Sequence, residues 1–161
     1  MTTTGKVMTA RIPWLVALGL AFIVQAGCSR FKVSVPSGFV TLKRARSRQV
    51  LVSADNTVIV VREWKNRPKG DGSFWTATLR RDFEKVRGYK FVGSKPAKSN
   101  RGMKGTTLHF QGAYRGGMYD YFVTLFVLPD WIYTVEMLAQ HRKTDKYSPA
   151  FQKVVATLEP R

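Results

Sequence analysis

The sequence predicts an α+β fold, an antiparallel β-sheet of about six to seven strands with helices packed on it as a sandwich. Three observations point there. Apolar, β-branched and aromatic runs separated by turn residues fill positions 106–139. An apolar stripe at helical spacing occupies 75–86. A second helical stripe closes the chain at 151–158.

Residues 31–35 (FKVSV) read as a short strand stopped by Pro36-Ser37-Gly38, and 43–48 (KRARSR) as a basic connection. Segments 49–53 and 58–64 are β-rich and flank Ala54-Asp55-Asn56-Thr57. Asp and Asn tolerate the turn conformations a hairpin needs. Segment 65–72 (KNRPKGDG) is a loop, because Pro68 and two glycines interrupt either period. From Ser73 the pattern is helical: Trp75, Leu79, Phe83 and Val86 recur at spacings of four, four and three and share one face. Ser73 is placed to cap the first turn and Gly88 to supply a left-handed residue after the last.

Segment 89–93 reads as a strand and 95–105 (KPAKSNRGMKG) as a second basic loop. In 106–115, Leu108, Phe110, Gly112 and Tyr114 alternate with Thr107, His109, Gln111 and Ala113, and Gly116-Gly117 predicts a tight hairpin turn. Segment 118–128 is apolar on both faces, the mark of a central strand. Pro129-Asp130 then turns the chain into 131–139 (WIYTVEMLA). Ser148-Pro149 reads as the cap and first residue of a closing helix that buries Phe151, Val154, Val155 and Leu158.

This order, with Val35-Pro36-Ser37-Gly38-Phe39 near its start and a terminal helix after a long meander, resembles the PsbP/MOG-like fold. That group includes the photosystem protein PsbP, a Ran-binding import factor and bacterial envelope lipoproteins of the DcrB type. The resemblance covers most of residues 31–160. It implies an accessory or binding role rather than enzymatic chemistry, and it names no partner.

The N-terminus carries the clearest functional signal. Lys6 and Arg11 precede an apolar run at 12–24 (IPWLVALGLAFIV), and no acidic residue occurs before Cys28. That is the layout of a secretory signal peptide, and the run is shorter than the roughly 20 residues of a membrane-spanning helix. Gln25-Ala26-Gly27-Cys28 resembles the bacterial lipobox, with Gln25 where an aliphatic residue is usual. A lipobox needs a cysteine because the thiolate takes the lipid. Cleavage then falls between Gly27 and Cys28. The alternative is an uncleaved anchor followed by a free thiol. The expected organisation is a removed leader at 1–27, a lipidated N-terminus at 28–30 and a single α+β domain at 31–161. Ser29 after the cysteine favours the outer membrane over the inner.

Removing 27 of the 161 residues leaves 134, one domain that buries about two-thirds of its chain surface. A hydrophobic content of 44% and an aromatic content of 12% exclude a disordered chain. Cys28 is the only cysteine, so its lipidation leaves no thiol for a disulfide or a cysteine metal site. Without Lys6 and Arg11 the mature part holds 25 basic and 10 acidic residues, a formal charge of +15. Such a charge calls for nucleic acid, anionic lipid or an acidic partner. Export disfavours nucleic acid and leaves lipid phosphates, acidic glycans or acidic proteins.

No catalytic constellation, metal site or cofactor motif is visible, and no small-molecule substrate is indicated. His109 and His141 lack the paired spacing of a metal site and read as an ordinary strand residue and a solvated loop residue. No G-x-S-x-G pattern occurs. Asp82 and Glu84 read as helix-surface charges beside Arg81 and Lys85. The candidate surface is basic: Lys43, Arg44, Arg46 and Arg48 with Arg62, Lys65, Arg67 and Lys69, extended by Lys95, Lys98, Arg101 and Lys104. Arginine's planar fork suits phosphate and carboxylate. Any one such loop is more simply a solvated one, but three in a small domain favour a real anion-binding surface. The expectation is therefore a non-enzymatic, membrane-anchored envelope lipoprotein acting as an adaptor or accessory subunit, which binds a partner protein or an anionic envelope component. The alternatives are an envelope hydrolase acting on cell-wall or lipid material, and capture of nucleic acid with steep salt dependence.

Overall fold

The computed structural model describes residues 30–114 and 116–161, and the predicted leader and Cys28 lie outside them. Strands β1 (Phe31–Lys32), β2 (Phe39–Ala45), β3 (Arg48–Ser53) and β4 (Val58–Lys65) lead to helix α1 (Gly72–Arg81). A meander follows: β5 (Lys90–Lys98), β6 (Lys104–Tyr114), β7 (Gly117–Val127) and β8 (Trp131–Gln140). Helix α2 (Thr144–Thr157) and β9 (Glu159–Pro160) close the chain. Seven strands form one sheet in the order β2-β3-β4-β8-β7-β6-β5, and β1 pairs with β9. Every pairing is antiparallel. Among the described residues no helix is long and apolar enough to cross a membrane.

Strand alternation sends side chains to two separate cores. On one face Leu51, Ile59, Val61, Phe126, Val135 and Met137 pack with Tyr147, Phe151, Val154 and Val155 of α2. On the other, Leu108, Phe110 and Val123 pack with Phe83, which stacks on Phe110 at 4.6 Å between centroids. Each fully buried large apolar side chain contributes roughly 1.5–3 kcal/mol. The central place expected of 118–128 follows from these two covered faces, since β7 serves both cores.

The 54–57 hairpin forms as expected, with Asn56 in the left-handed region (φ 61°). So does the β6–β7 hairpin, where Tyr114 pairs with Gly117 around Gly116 (φ 76°). Other expectations need correction. The first strand pairs only over Phe31–Lys32, because its partner is the short chain end at Glu159–Pro160. Segment 43–48 is no connection: Lys43 and Arg44 belong to β2, Arg46-Ser47 is a turn and Arg48 opens β3. Strand β2 is a sheet edge exposed almost throughout, so it carries no hydrophobic alternation to read. The second basic loop shrinks to 99–103, since β5 continues to Lys98 and β6 starts at Lys104.

Asp71, not Ser73, caps α1. Its Oδ1 accepts from the Phe74 N–H at 2.8 Å and the Ser73 hydroxyl at 2.7 Å. After Arg81 the helix widens into a π turn over Asp82–Val86, closed by the Arg87 N–H on the Asp82 carbonyl. The wide turn rotates the following residue out of the stripe, and Val86 is 78% exposed. Gly88 does adopt a left-handed conformation, φ 70°. The closing helix starts at Thr144 rather than at Ser148, so Pro149 lies inside it. The Thr144 hydroxyl bonds Asp120 of the sheet, a tertiary contact that outweighs the local Ser-Pro signal.

Gly105 lies so close to the β7 backbone that an added Cβ would come within 2.4 Å of the Leu125 carbonyl and 2.7 Å of the Phe126 ring. Gly72, in the first turn of α1, has open space around its Cβ position. Urea denaturation should show Gly105→Ala losing about 1–3 kcal/mol to overpacking and Gly72→Ala gaining about 0.4–1 kcal/mol.

Candidate functional site

The sheet register decides where the basic segments meet. Strands β2, β4, β5 and β7 end on the side where β3, β6 and β8 begin. The β2–β3 tip, the loop after β4 and the β5–β6 tip therefore lie at one end of the sheet. Exposed Lys43, Arg44, Arg46 and Arg48 occupy the first, Lys65, Arg67 and Lys69 the second, and Lys98, Arg101 and Lys104 the third, with Lys95 set back along β5. Lys43, Arg48, Lys65 and Arg67 have no ion-pair partner among the described residues. Lys69 holds Asp130 at 3.1 Å and Arg101 holds Glu159 at 2.9 Å.

Two cations that the sequence reading left out join this end. The Arg30 N–H donates to the Arg46 carbonyl at 3.3 Å, and the Arg161 N–H donates to the Arg30 carbonyl at 2.7 Å. The Arg30 guanidinium lies 4.4 Å from the centre of the Trp131 ring, and the Lys65 ammonium lies 5.7 Å from it. Beneath them Glu63 is buried, 3.8 Å from Arg30. Burial raises its carboxyl above the ordinary range despite the nearby Arg30 and Arg46. The loop after β4 is held by buried Asn66, whose amide donates to the Gly70 and Leu128 carbonyls while its oxygen accepts from the Gly70 N–H and the Trp75 indole.

Arg62 stands apart from the rest of the set. It pairs across the strands with Arg48, but its Nε faces Glu136 at 3.1 Å. Glu136 accepts hydrogen bonds from the Tyr121 and Thr134 hydroxyls, at 2.5 and 3.0 Å. Burial and that carboxylate push the Tyr121 phenol far above its ordinary range. Arg62 is thus committed to an internal network and lines a cavity of about 350 Å³ with Trp64, Phe83 and Arg87.

The opposite end of the sheet carries a cluster that was invisible in the sequence. Asp120, 1% exposed, receives the His109 Nε2 at 2.8 Å and the Gln111 amide at 3.0 Å on one oxygen. Its other oxygen receives the His141 Nδ1 at 2.7 Å and the Thr144 hydroxyl at 2.5 Å. A carboxylate only accepts, so the ring nitrogens facing it carry protons. Burial opposes the charge of Asp120, yet the bonds from Thr144, His109, Gln111 and His141 outweigh it and hold the carboxyl below the ordinary range. His109 does lie in a strand and His141 keeps a solvent-exposed side chain, as expected, but the two share one acceptor that the sequence does not reveal. Period-two alternation puts His109 and Gln111 on one face, but only the register Gln111↔Asp120 reveals their acceptor. The cluster ties the β6–β7 pair to the start of α2. The hydroxyl it holds, Thr144, donates to Asp120 instead of facing an imidazole as a nucleophile would.

A carboxyl depressed by folding adds stability above its unfolded value, near about 3.9, and loses it as pH falls through the folded value. Asp120→Asn should cost about 1–3 kcal/mol at pH 7. In urea titrations from pH 7 to pH 2, the gap between wild type and variant should close in the acid range.

No family model matches this sequence, and no curated protein matches it significantly. Solved structures do. LpqN of Mycobacterium tuberculosis, described as involved in cell envelope biogenesis, superposes with a TM-score of 0.67 at 15% identity, covering 80% of this chain and 81% of that one. The Ran-binding protein Mog1p of Saccharomyces cerevisiae gives 0.54 at 14%, covering 81% and 90%. The cyanobacterial PsbP of Synechocystis gives 0.55 at 12%, covering 82% and 87%. At these identities the likeness speaks to architecture, and it agrees with the antiparallel sheet carrying a helix on each face: the chain has the PsbP/MOG-like fold.

Proposed function

We propose that this protein is a lipid-anchored accessory component of the bacterial cell envelope that binds a partner protein or an anionic envelope component at its basic end. The observation that carries this reading is the convergence of three basic segments, separate in sequence, on one end of the sheet. Spread over the surface, the same charges would read as solvating groups. Gathered, they make a field that selects anionic partners. The Gln25-Ala26-Gly27-Cys28 segment supports an acyl anchor on Cys28, and Ser29 supports the outer membrane. The structural likeness to an envelope-biogenesis protein and to a Ran-binding protein supports a binding role over a catalytic one.

Affinity capture from detergent-solubilised envelopes tests it, using the wild type beside a variant with Lys43, Arg44, Arg46 and Arg48 changed to Ser. A protein, lipid or glycan should be retained at moderate salt by the wild type and released by the variant. Equal capture by both, or capture of nothing, overturns the reading.

A further inference from the structure

We infer that the basic end of the sheet lies against the phosphate head groups of the bilayer that holds the protein's own anchor, so that the domain has a fixed orientation on the membrane. The inference rests on the anchored reading and adds the identity of the anionic surface. Cys28 precedes Arg30 by two residues, a span of at most about 7 Å even when fully extended. Arg30 is itself bonded through its backbone to Arg46, at the β2–β3 tip. An acyl chain on Cys28 therefore brings the bilayer surface to the turn that carries Arg44, Arg46 and Arg48.

The distance matters because charge acts on a membrane only at short range. The potential of an anionic surface decays within a Debye length, about 8 Å at physiological ionic strength. The tether is no longer than that, so the tip remains inside the field whenever the anchor is inserted. Lys65 and Arg67 lie at the same end, as do Lys98 and Lys104 across the sheet. A set this broad resists tilting as well as detachment. Residence and orientation are then divided between two devices: the lipid supplies the first, and the basic end supplies the second. The turn at 54–57 and the Asp120 cluster, at the other end, face away from the bilayer.

Because Cys28 is the only cysteine in the chain and is itself acylated, single cysteines placed elsewhere are clean attachment points for a probe. Ser47, in the basic tip, and Ala54, in the opposite turn, are both exposed. Full-length lipoprotein carrying Ser47→Cys or Ala54→Cys, labelled with a fluorophore, would be reconstituted into vesicles bearing a head-group quencher, made either of phosphatidylglycerol with phosphatidylcholine or of phosphatidylcholine alone. The label at 47 should be quenched severalfold more than the label at 54 in the anionic vesicles. The difference should shrink in neutral vesicles, and at about 1 M salt, where the Debye length is about 3 Å. Changing Lys43, Arg44 and Arg46 to Ser should shrink it too, with circular dichroism confirming the fold of that variant. Equal quenching at both positions, or a difference indifferent to lipid charge and salt, overturns the orientation and leaves the anchored accessory reading standing. Mass spectrometry showing a free Cys28 thiol overturns both.

Discussion

The pairing of β4 with β8 is the constraint on which the rest of this structure depends. It runs from Val58↔Leu138 to Lys65↔Trp131 along the full length of β4. It joins the N-terminal hairpin to the meander across a separation that includes all of α1, a closure that is costly in chain entropy before its contacts form. Once made, it yields a continuous seven-stranded surface with two faces to cover, and α1 and α2 cover one each. It also fixes which strand ends share a side. The basic end exists because β4 and β8 are neighbours in this register; a slip by one residue would turn every β4 side chain to the opposite face.

How much of this could be read in advance follows the range of each signal. The 49–64 hairpin and strands β6, β7 and β8 of the meander declare themselves through alternation and turn chemistry, both local. Helix α1 does so through its stripe as far as Phe83, where the π turn breaks the period. Strand β2 stays hidden because an edge exposed along nearly its whole length has no apolar face to repeat. The start of α2 is set by Thr144 meeting Asp120 from another part of the chain, so the nearer Ser148-Pro149 signal misleads. The candidate surface divides in the same way. Its lysines and arginines are legible one segment at a time. Their convergence, the addition of Arg30 and Arg161, and the diversion of Arg62 to Glu136 are products of register.

The two ends of the sheet handle charge differently. At one, Glu63, Asp130 and Glu159 answer only part of the cation set, and the tip cations face solvent. At the other, charges are cancelled in place. Asp55 accepts from Lys146 and Tyr147, both at 2.7 Å, which lowers its carboxyl to about 2. Asp120 is surrounded by its own donors. The molecule is thus polarised along its strands. The unbalanced positive field comes from the end where pairing is incomplete, while the other end uses its polar groups to secure α2.

The short ladder between β1 and β9 has a practical side. Phe31–Lys32 pairs with Glu159–Pro160, and the Arg161 N–H bonds Arg30, so both ends of the described chain leave the domain side by side. An affinity handle or fluorescent fusion appended after Arg161 would therefore emerge within the cationic end and crowd its basic side chains. Reporters are better carried by the turns at the far end of the strands, around Ala54 or Gly116, where an insertion leaves that surface untouched.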